Sequence, residues 1–411
     1  LACETPLHSR RSFTAALFLL RQELPGGNQK NMISSNEVHK NIKWEEWSMA
    51  VKYRKELDSI SPYVPGKPID DVKRELGLDR VIKLASNENP LGFSSSVREA
   101  VIRALDEVNL YPDGNATLLK EKIAEKYGVT PEEVLATCGS DEMVDLIAKT
   151  FIDQGSEVVL AEVTFPRYFS TSQMMGADLK IVPMKDMAYD IEGFKKVITP
   201  ETRLVWLCNP NNPTGSFFTR GELIDLLEFI SPETLVVYDE AYYEFADHPD
   251  YPKDSVELAK EYKNMLVMKT LSKAYGIAGL RIGFTIGDPV LLGLINRIRN
   301  PFNVTMLSQA AAVAALDDDE FLVRIIENNQ AGKYYLYEEF DKMGLEYVKT
   351  EANHIAFNAG KDGGLVFQEL LQRGVIIRPI GGEKYRTWLR VSIGTMEENR
   401  EFIRALQEVL A

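Results

Sequence analysis

Leu204-Val205-Trp206-Leu207-Cys208-Asn209-Pro210-Asn211-Asn212-Pro213-Thr214-Gly215 is an apolar run that passes directly into a turn of asparagine, proline and glycine. A short apolar run with no polar alternation reads as a strand covered on both faces, as in a parallel sheet between helical layers. The same signature recurs at Glu157–Leu160, Leu235–Tyr238, Met265–Met268 and Arg281–Ile286. Between the second and third of these five runs, Arg220–Phe229 has the apolar spacing of an amphipathic helix. Strands and helices alternating in this way predict a doubly wound α/β sheet of parallel strands.

Outward from this core the texture changes near Pro301. Ser308–Phe340 carries a long helical pattern, and Asn353–Phe357, Val375–Arg378 and Trp388–Ile393 read as strands of a second, smaller α+β domain. The expected organisation is a leader at 1–43, disordered or artefactual, then an arm at 44–85 joining the small domain. A large domain at 86–303 and a small one at 304–411 follow. Trp44, Trp47 and Val51 fall at helical spacing, as in a docked arm that ends before Ser61-Pro62.

Composition narrows the function. The 411 residues are 45% hydrophobic and 26% charged, the make-up of a folded globular protein. The net charge is −14, and all of the acidic excess lies beyond residue 49, which argues against nucleic acid or an anionic membrane as partner. No apolar run approaches the ~18 residues of a membrane span. Three cysteines without a C-x-x-C pair fit a reducing, cytoplasmic setting. His8, His39, His248 and His354 are never paired at ligand spacing, so no metal site is expected, and His354 reads as a core or pocket-wall residue. Dinucleotide, P-loop, zinc-protease and nucleophile-elbow motifs do not occur.

The chemistry lies just past the predicted strands, where open α/β sheets bind ligands. The turn after Cys208 presents Asn212 as a fixed donor. Leu235–Tyr238 ends in Asp239-Glu240-Ala241-Tyr242, a carboxylate and a phenol; a buried Asp there needs a cation or several donors. Met265–Met268 leads to Thr270-Leu271-Ser272-Lys273, with Arg281 beyond Gly276 and Gly279. Cys138-Gly139-Ser140-Asp141-Glu142 opens an apolar-periodic helix, whose free amides form an anion site. The set comprises an amine nucleophile, a carboxylate for a ring nitrogen, a phenol and an amide for a ring oxygen. With Ser, Arg and a helix N-terminus for a phosphate, it describes pyridoxal 5'-phosphate.

With Ser61-Pro62-Tyr63, Leu84–Gly92, Tyr111-Pro112-Asp113-Gly114 and Leu389–Thr395 added, the sequence from about Ser59 to Leu410 resembles the fold-type I, class I and II pyridoxal-phosphate aminotransferases. Within them it is most similar to the histidinol-phosphate aminotransferases. The resemblance implies a large domain with a mostly parallel seven-stranded sheet flanked by helices, plus a smaller α+β domain. It implies that Lys273 holds the cofactor covalently and then moves the proton between the substrate Cα and cofactor C4′. Asp239 would keep the pyridine nitrogen protonated, Asn212 and Tyr242 would bond the ring oxygen, and Phe165, where many relatives carry Tyr, would stack on the ring. Ser140, Asp141, Ser272 and Arg281 would surround the phosphate, with Tyr111 arriving from the neighbouring subunit of a homodimer with shared active sites. Arg390 would grip the anionic end of the amino donor, with Tyr63, Asn87 and Arg378 as further substrate-wall positions. The implied reaction takes histidinol phosphate and 2-oxoglutarate to imidazole acetol phosphate and glutamate. The alternatives are an aromatic amino acid aminotransferase or a threonine-phosphate decarboxylase-like enzyme.

Overall fold

In the computed structural model, which describes residues 51–62 and 68–411, the apolar runs lie side by side in one sheet. In chain order the strands are β1 (Ile82–Lys83), β2 (Val134–Thr137), β3 (Glu157–Ala161), β4 (Asp178–Val182), β5 (Thr202–Cys208), β6 (Leu235–Asp239) and β7 (Met265–Thr270). They continue as β8 (Gly283–Gly287), β9 (Glu346–Tyr347), β10 (His354–Asn358), β11 (Val375–Ile376), β12 (Arg378–Pro379) and β13 (Trp388–Ser392). The large sheet has the order β2-β8-β7-β6-β5-β3-β4. β3 to β7 are parallel, as helices on both sides require, and every residue of β6 and β7 is buried.

Arg281–Ile286, read as one more parallel strand, is instead β8, antiparallel to both β7 and β2. The cause is the connection. Leu271–Ile282 holds only the single 3-10 turn Ala278–Leu280, and without a crossover helix the chain returns antiparallel. β2 and β4 escaped the reading because one is four residues long and the other is a half-exposed edge strand.

The second core gathers Ile355, Phe357, Leu389, Val391 and Ile393 beneath the sheet β12-β13-β10-β9, with Phe340, Phe402 and Leu406 from two helices. Val375–Arg378 is not one strand: β11 pairs with β1 in a separate two-stranded sheet, and β12 pairs with β13. The long helical pattern is likewise two helices, Met306–Leu316 and Asp319–Met343, parted where Asp318 caps the second by accepting from the Phe321 amide. The first of these gives Ala311, Ala312, Ala315 and Leu316 to the large core, so packing with the large sheet continues past residue 303. Val51 is exposed and non-helical, and Trp44 and Trp47 of the expected stripe lie outside the described residues. Among the described residues no helix is long and apolar enough to cross a membrane.

Candidate active site

The carboxyl ends of β3, β5, β6 and β7 converge on a cavity of about 710 Å³, whose far wall is built from β12 and β13. Its lining includes Asn87, Phe165, Asn212, Tyr242, Lys273, Arg378 and Arg390, seven of the residues singled out in the sequence. Asp239, Ser272, Ser140, Asp141 and Arg281 are not among its lining residues. Tyr63 lies outside the described residues.

Asp239 closes β6 and is 4% exposed. Its carboxylate accepts from the Tyr168 hydroxyl at 2.6 Å and from the Ala241 amide at 3.0 Å, and it forms no ion pair among the described residues. Burial pushes this carboxyl up to about 6, against those two hydrogen bonds, which pull it down. A protonated ring nitrogen would supply the missing cation. Tyr168 was not legible in the sequence; it is fixed by stacking on Trp206 with ring centroids 4.7 Å apart and planes at 5°. Only the helical spacing from Phe165 to Tyr168, on the edge of helix Pro166–Met174, hinted at it.

Lys273 follows β7 on the irregular segment, and its Nζ donates to the Ser86 carbonyl at 3.2 Å. Burial, and secondarily the Arg390 guanidinium, lower its amine to about 8. A fraction of the amine is therefore neutral and nucleophilic near pH 7. The rate at which the cofactor-free protein captures a small aldehyde, followed by stopped flow, should rise with pH and level off above about 8. Arg390→Gln should move that midpoint upward, because removing a neighbouring cation favours the protonated amine.

Tyr242 is buried, and burial raises its phenol well above the usual range, so it stays un-ionised. Its oxygen accepts from Asn87 Nδ2 at 2.9 Å, which leaves its own proton to donate. Asn87 differs from its expected part as a substrate contact. Nδ2 also reaches His354 Nδ1 at 3.1 Å, Oδ1 accepts from Ser392 Oγ, the backbone amide donates to that same hydroxyl, and the carbonyl accepts from Asn353. With every polar atom engaged inside the protein, Asn87 orients Tyr242. His354 is fully buried and held neutral, since burial and the nearby Arg390 and Lys273 lower its pKa. Asn87 and Arg281 are two of the six non-glycine residues with positive φ among the described residues, at 55° and 52°. Strain of this kind persists where the surroundings over-determine it, as at ligand sites.

Arg390 on β13 faces Arg378 on β12 in the ladder. Arg390 donates to Asn212 Oδ1 at 2.8 Å and to the Ala85 carbonyl, so one guanidinium spans the large-sheet turn and the β1 segment. Asn212 keeps its amide hydrogens for another acceptor. Phe165 is half-buried at the cavity wall and packs edge-on against Tyr168 at 5.5 Å.

The phosphate-type corner is built around helix Gly139–Phe151. Gly139 has φ +74°, and a Cβ there would lie 2.6 Å from Arg281 Nη2, so glycine is what lets the guanidinium reach the helix start. Asp141 Oδ2 holds that guanidinium at 3.3 Å, which makes its side chain a partner of Arg281. Ser272 is buried, its amide donating to Thr270 Oγ1 at 3.1 Å. Tyr111 does not reach the cavity of its own chain: it is 80% exposed and stacks on Phe302. The mouth holds a further group that the sequence did not disclose, Glu162, which accepts from Lys384 at 2.8 Å and Tyr385 at 2.6 Å.

A buried amine of lowered pKa, a carboxylate lacking a cation, a donor phenol and a cationic wall amount to machinery for amine chemistry on a ring cofactor. The sequence matches the family described as aminotransferase class I and II over residues 79–406. The chain belongs to that family. Histidinol-phosphate aminotransferases of Caldicellulosiruptor saccharolyticus and Carboxydothermus hydrogenoformans are 45% and 47% identical to it, over 87% of this chain and 100% and 99% of theirs. The structure of the Sinorhizobium meliloti histidinol-phosphate aminotransferase with pyridoxal-5'-phosphate superposes with a TM-score of 0.82 at 27% identity, covering 88% of this chain and 98% of that one. Aspartate aminotransferase of Thermus thermophilus shares the fold, with a TM-score of 0.75 at 21% identity over 87% of this chain and all of its own. This class I and II aminotransferase thus has the fold-type I architecture, with its buried amine and carboxylate at the strand ends.

Proposed function

We propose that this aminotransferase binds pyridoxal 5'-phosphate and transfers the amino group of histidinol phosphate to 2-oxoglutarate, in the cytoplasm. The supporting observation is the single cavity that joins Lys273, Tyr242, Asn212, Arg378 and Arg390 beside the buried Asp239. Similarity to histidinol-phosphate aminotransferases over nearly their whole length supports the donor.

The donor set fits the cofactor. Asp239 offers a carboxylate for the ring nitrogen, Asn212 and Tyr242 offer an amide and a phenol for the ring oxygen, and Phe165 offers a flat face. Ser140, Ser272, Arg281 and the amides of helix Gly139–Phe151 would hold the phosphate, with Asp141 orienting Arg281. When bound, pyridoxal 5'-phosphate supplies an aldehyde for the amino group and a ring that withdraws electrons from the adjacent carbon. Lys273 would take the proton from the substrate Cα and return it two atoms away, across the amino nitrogen; its amine of lowered pKa suits both transfers. Arg390, with Arg378 across the ladder, holds the anionic end of donor and acceptor in a planar fork that suits carboxylate and phosphate alike.

The active unit is a homodimer in which Tyr111 of one copy completes the phosphate site of the other. Ile102, Leu105, Val108, Leu110, Tyr111 and Leu118 are all exposed, a density of apolar surface that calls for a partner. A groove of about 1000 Å³ between helices Ser95–Ala104 and Met306–Leu316 adjoins this stretch and contains no catalytic base or nucleophile of the set above. Mixing inactive Tyr111→Ala and Lys273→Ala proteins should restore activity, because one of the two sites in a mixed dimer keeps both groups. Mixed dimers that stay inactive would argue for separate sites.

The donor is tested by single-turnover bleaching of the bound-cofactor absorbance with histidinol phosphate, phenylalanine and phosphothreonine in separate reactions. Rapid amino transfer to the cofactor is expected with histidinol phosphate. A preference for phenylalanine, or carbon dioxide release from phosphothreonine, would keep the site and change the substrate.

A further inference from the structure

One layer behind the cavity, outside its lining, Glu240 and Lys269 form an ion pair at 2.6 Å with side chains 0% and 2% exposed. Lys269 Nζ also sits 3.5 Å from the centre of the Tyr243 ring. Glu240 accepts from Ser255 Oγ at 2.8 Å, and the Tyr251 hydroxyl lies 3.3 Å from it while donating to the Asn209 carbonyl at 2.7 Å. Two ions taken wholly out of water are weak evidence for stability, since apolar residues of similar volume often serve as well. What such a pair has that apolar packing lacks is direction: with this many partners it has one geometry.

Its position gives that geometry a use. Glu240 follows Asp239, and the alternation of a strand sends the two side chains to opposite faces. Lys269 lies four residues before Lys273, and Asn209 three before Asn212. The β6–β7 ladder ends at the pair Asp239 and Met268, after which Leu271–Ile282 leaves the sheet. There the Glu240 amide donates to the Met268 carbonyl at 2.9 Å and the Asn209 amide to the Asp239 carbonyl at 3.0 Å, and the Glu240–Lys269 cluster adds side-chain bonds that cross all three ends.

We propose that Glu240 and Lys269 are positioning residues that fix the ends of β6 and β7 to each other, and so the Asp239 carboxylate to the Lys273 amine. This rests on the roles given to Asp239 and Lys273 above. The test is the double variant Glu240→Met/Lys269→Met in the holoenzyme, which removes both charges at similar volume. Expected are a kcat lowered by about 10- to 100-fold at nearly unchanged KM, as a sub-ångström to ångström misplacement produces. Faster amide hydrogen exchange at 239–241 and 270–273 in the cofactor-free protein should accompany it, and Lys269→Arg alone should stay within a few-fold of the parent. Parental kcat and exchange in the double variant would overturn the proposal and leave the pair as packing. Should the double variant not fold, Glu240→Gln, which keeps the volume and a hydrogen-bonding end, must still lower kcat and speed exchange; if both stay parental, the proposal fails. An active Lys273→Ala protein would instead overturn the catalytic assignment, and the exchange measurement would still decide whether the pair holds the strand ends.

Discussion

Lys273→Ala should lower transamination by at least about 10⁴-fold, since the proposed mechanism makes the residue both the nucleophile for the cofactor and the proton carrier, and the second role alone typically contributes about 10²–10⁴-fold. Among the described residues two lysines line the cavity: Lys273, whose amine lies 5.9 Å from the Tyr242 ring, and Lys384, which is committed to Glu162. Far-ultraviolet dichroism should match the parent, because the side chain makes only a hydrogen bond to the Ser86 carbonyl. Cofactor should dissociate on gel filtration instead of remaining covalently attached. Residual turnover within about 100-fold of the parent would transfer the proton step to another group.

Asp239→Asn should split activity from stability. In the proposed mechanism the ring nitrogen would lose its proton without an ionised partner, and with it much of its electron demand, so kcat should fall by about 10²–10³-fold, the scale of losing one preorganised electrostatic partner. Stability of the cofactor-free protein should move the other way. The carboxyl titrates near 6 when folded against about 3.8 when free, so the folded state binds the extra proton between those values and stability falls as pH rises through them. Above pH 6 the buried charge costs at most about 3 kcal/mol, two pH units at ~1.4 kcal/mol each. Asparagine removes that cost. Cofactor-free Asp239→Asn should melt higher than the parent at pH 7.5 and at the same temperature near pH 4. A lower melting point at both pH values would show that hydrogen bonds to Tyr168 and Ala241 outweigh the buried charge.

Much of this site was legible because the chemistry sits at predictable ends of strongly apolar strands. β5, β6 and β7 are nearly all apolar, so the residues that follow them had to stand at the sheet edge, and Asn212, Asp239, Tyr242 and Lys273 do. Strand direction was less legible. β8 has the same apolar texture as its neighbours, and only the length and content of the connection before it set its sense. Side-chain partnerships were not legible at all: Tyr168 under Asp239 and Ser392 against Asn87 join positions 71 and 305 residues apart, and no local pattern encodes them. Nor could residue type tell whether Asn87 spends its amide on a ligand or on Tyr242 and His354.

The guanidinium of Arg390 reaches back to the carbonyl of Ala85, and the hydroxyl of Ser392 to Asn87, each across 305 residues. The far wall of the cavity is therefore missing until β13 arrives from the ribosome. Contacts this distant in sequence close slowly, because the whole intervening loop must be ordered first. From the completion of β8 at Gly287 until β13 arrives, the emerging chain accordingly carries a complete large sheet and the Lys273 amine without the arginine wall that faces them.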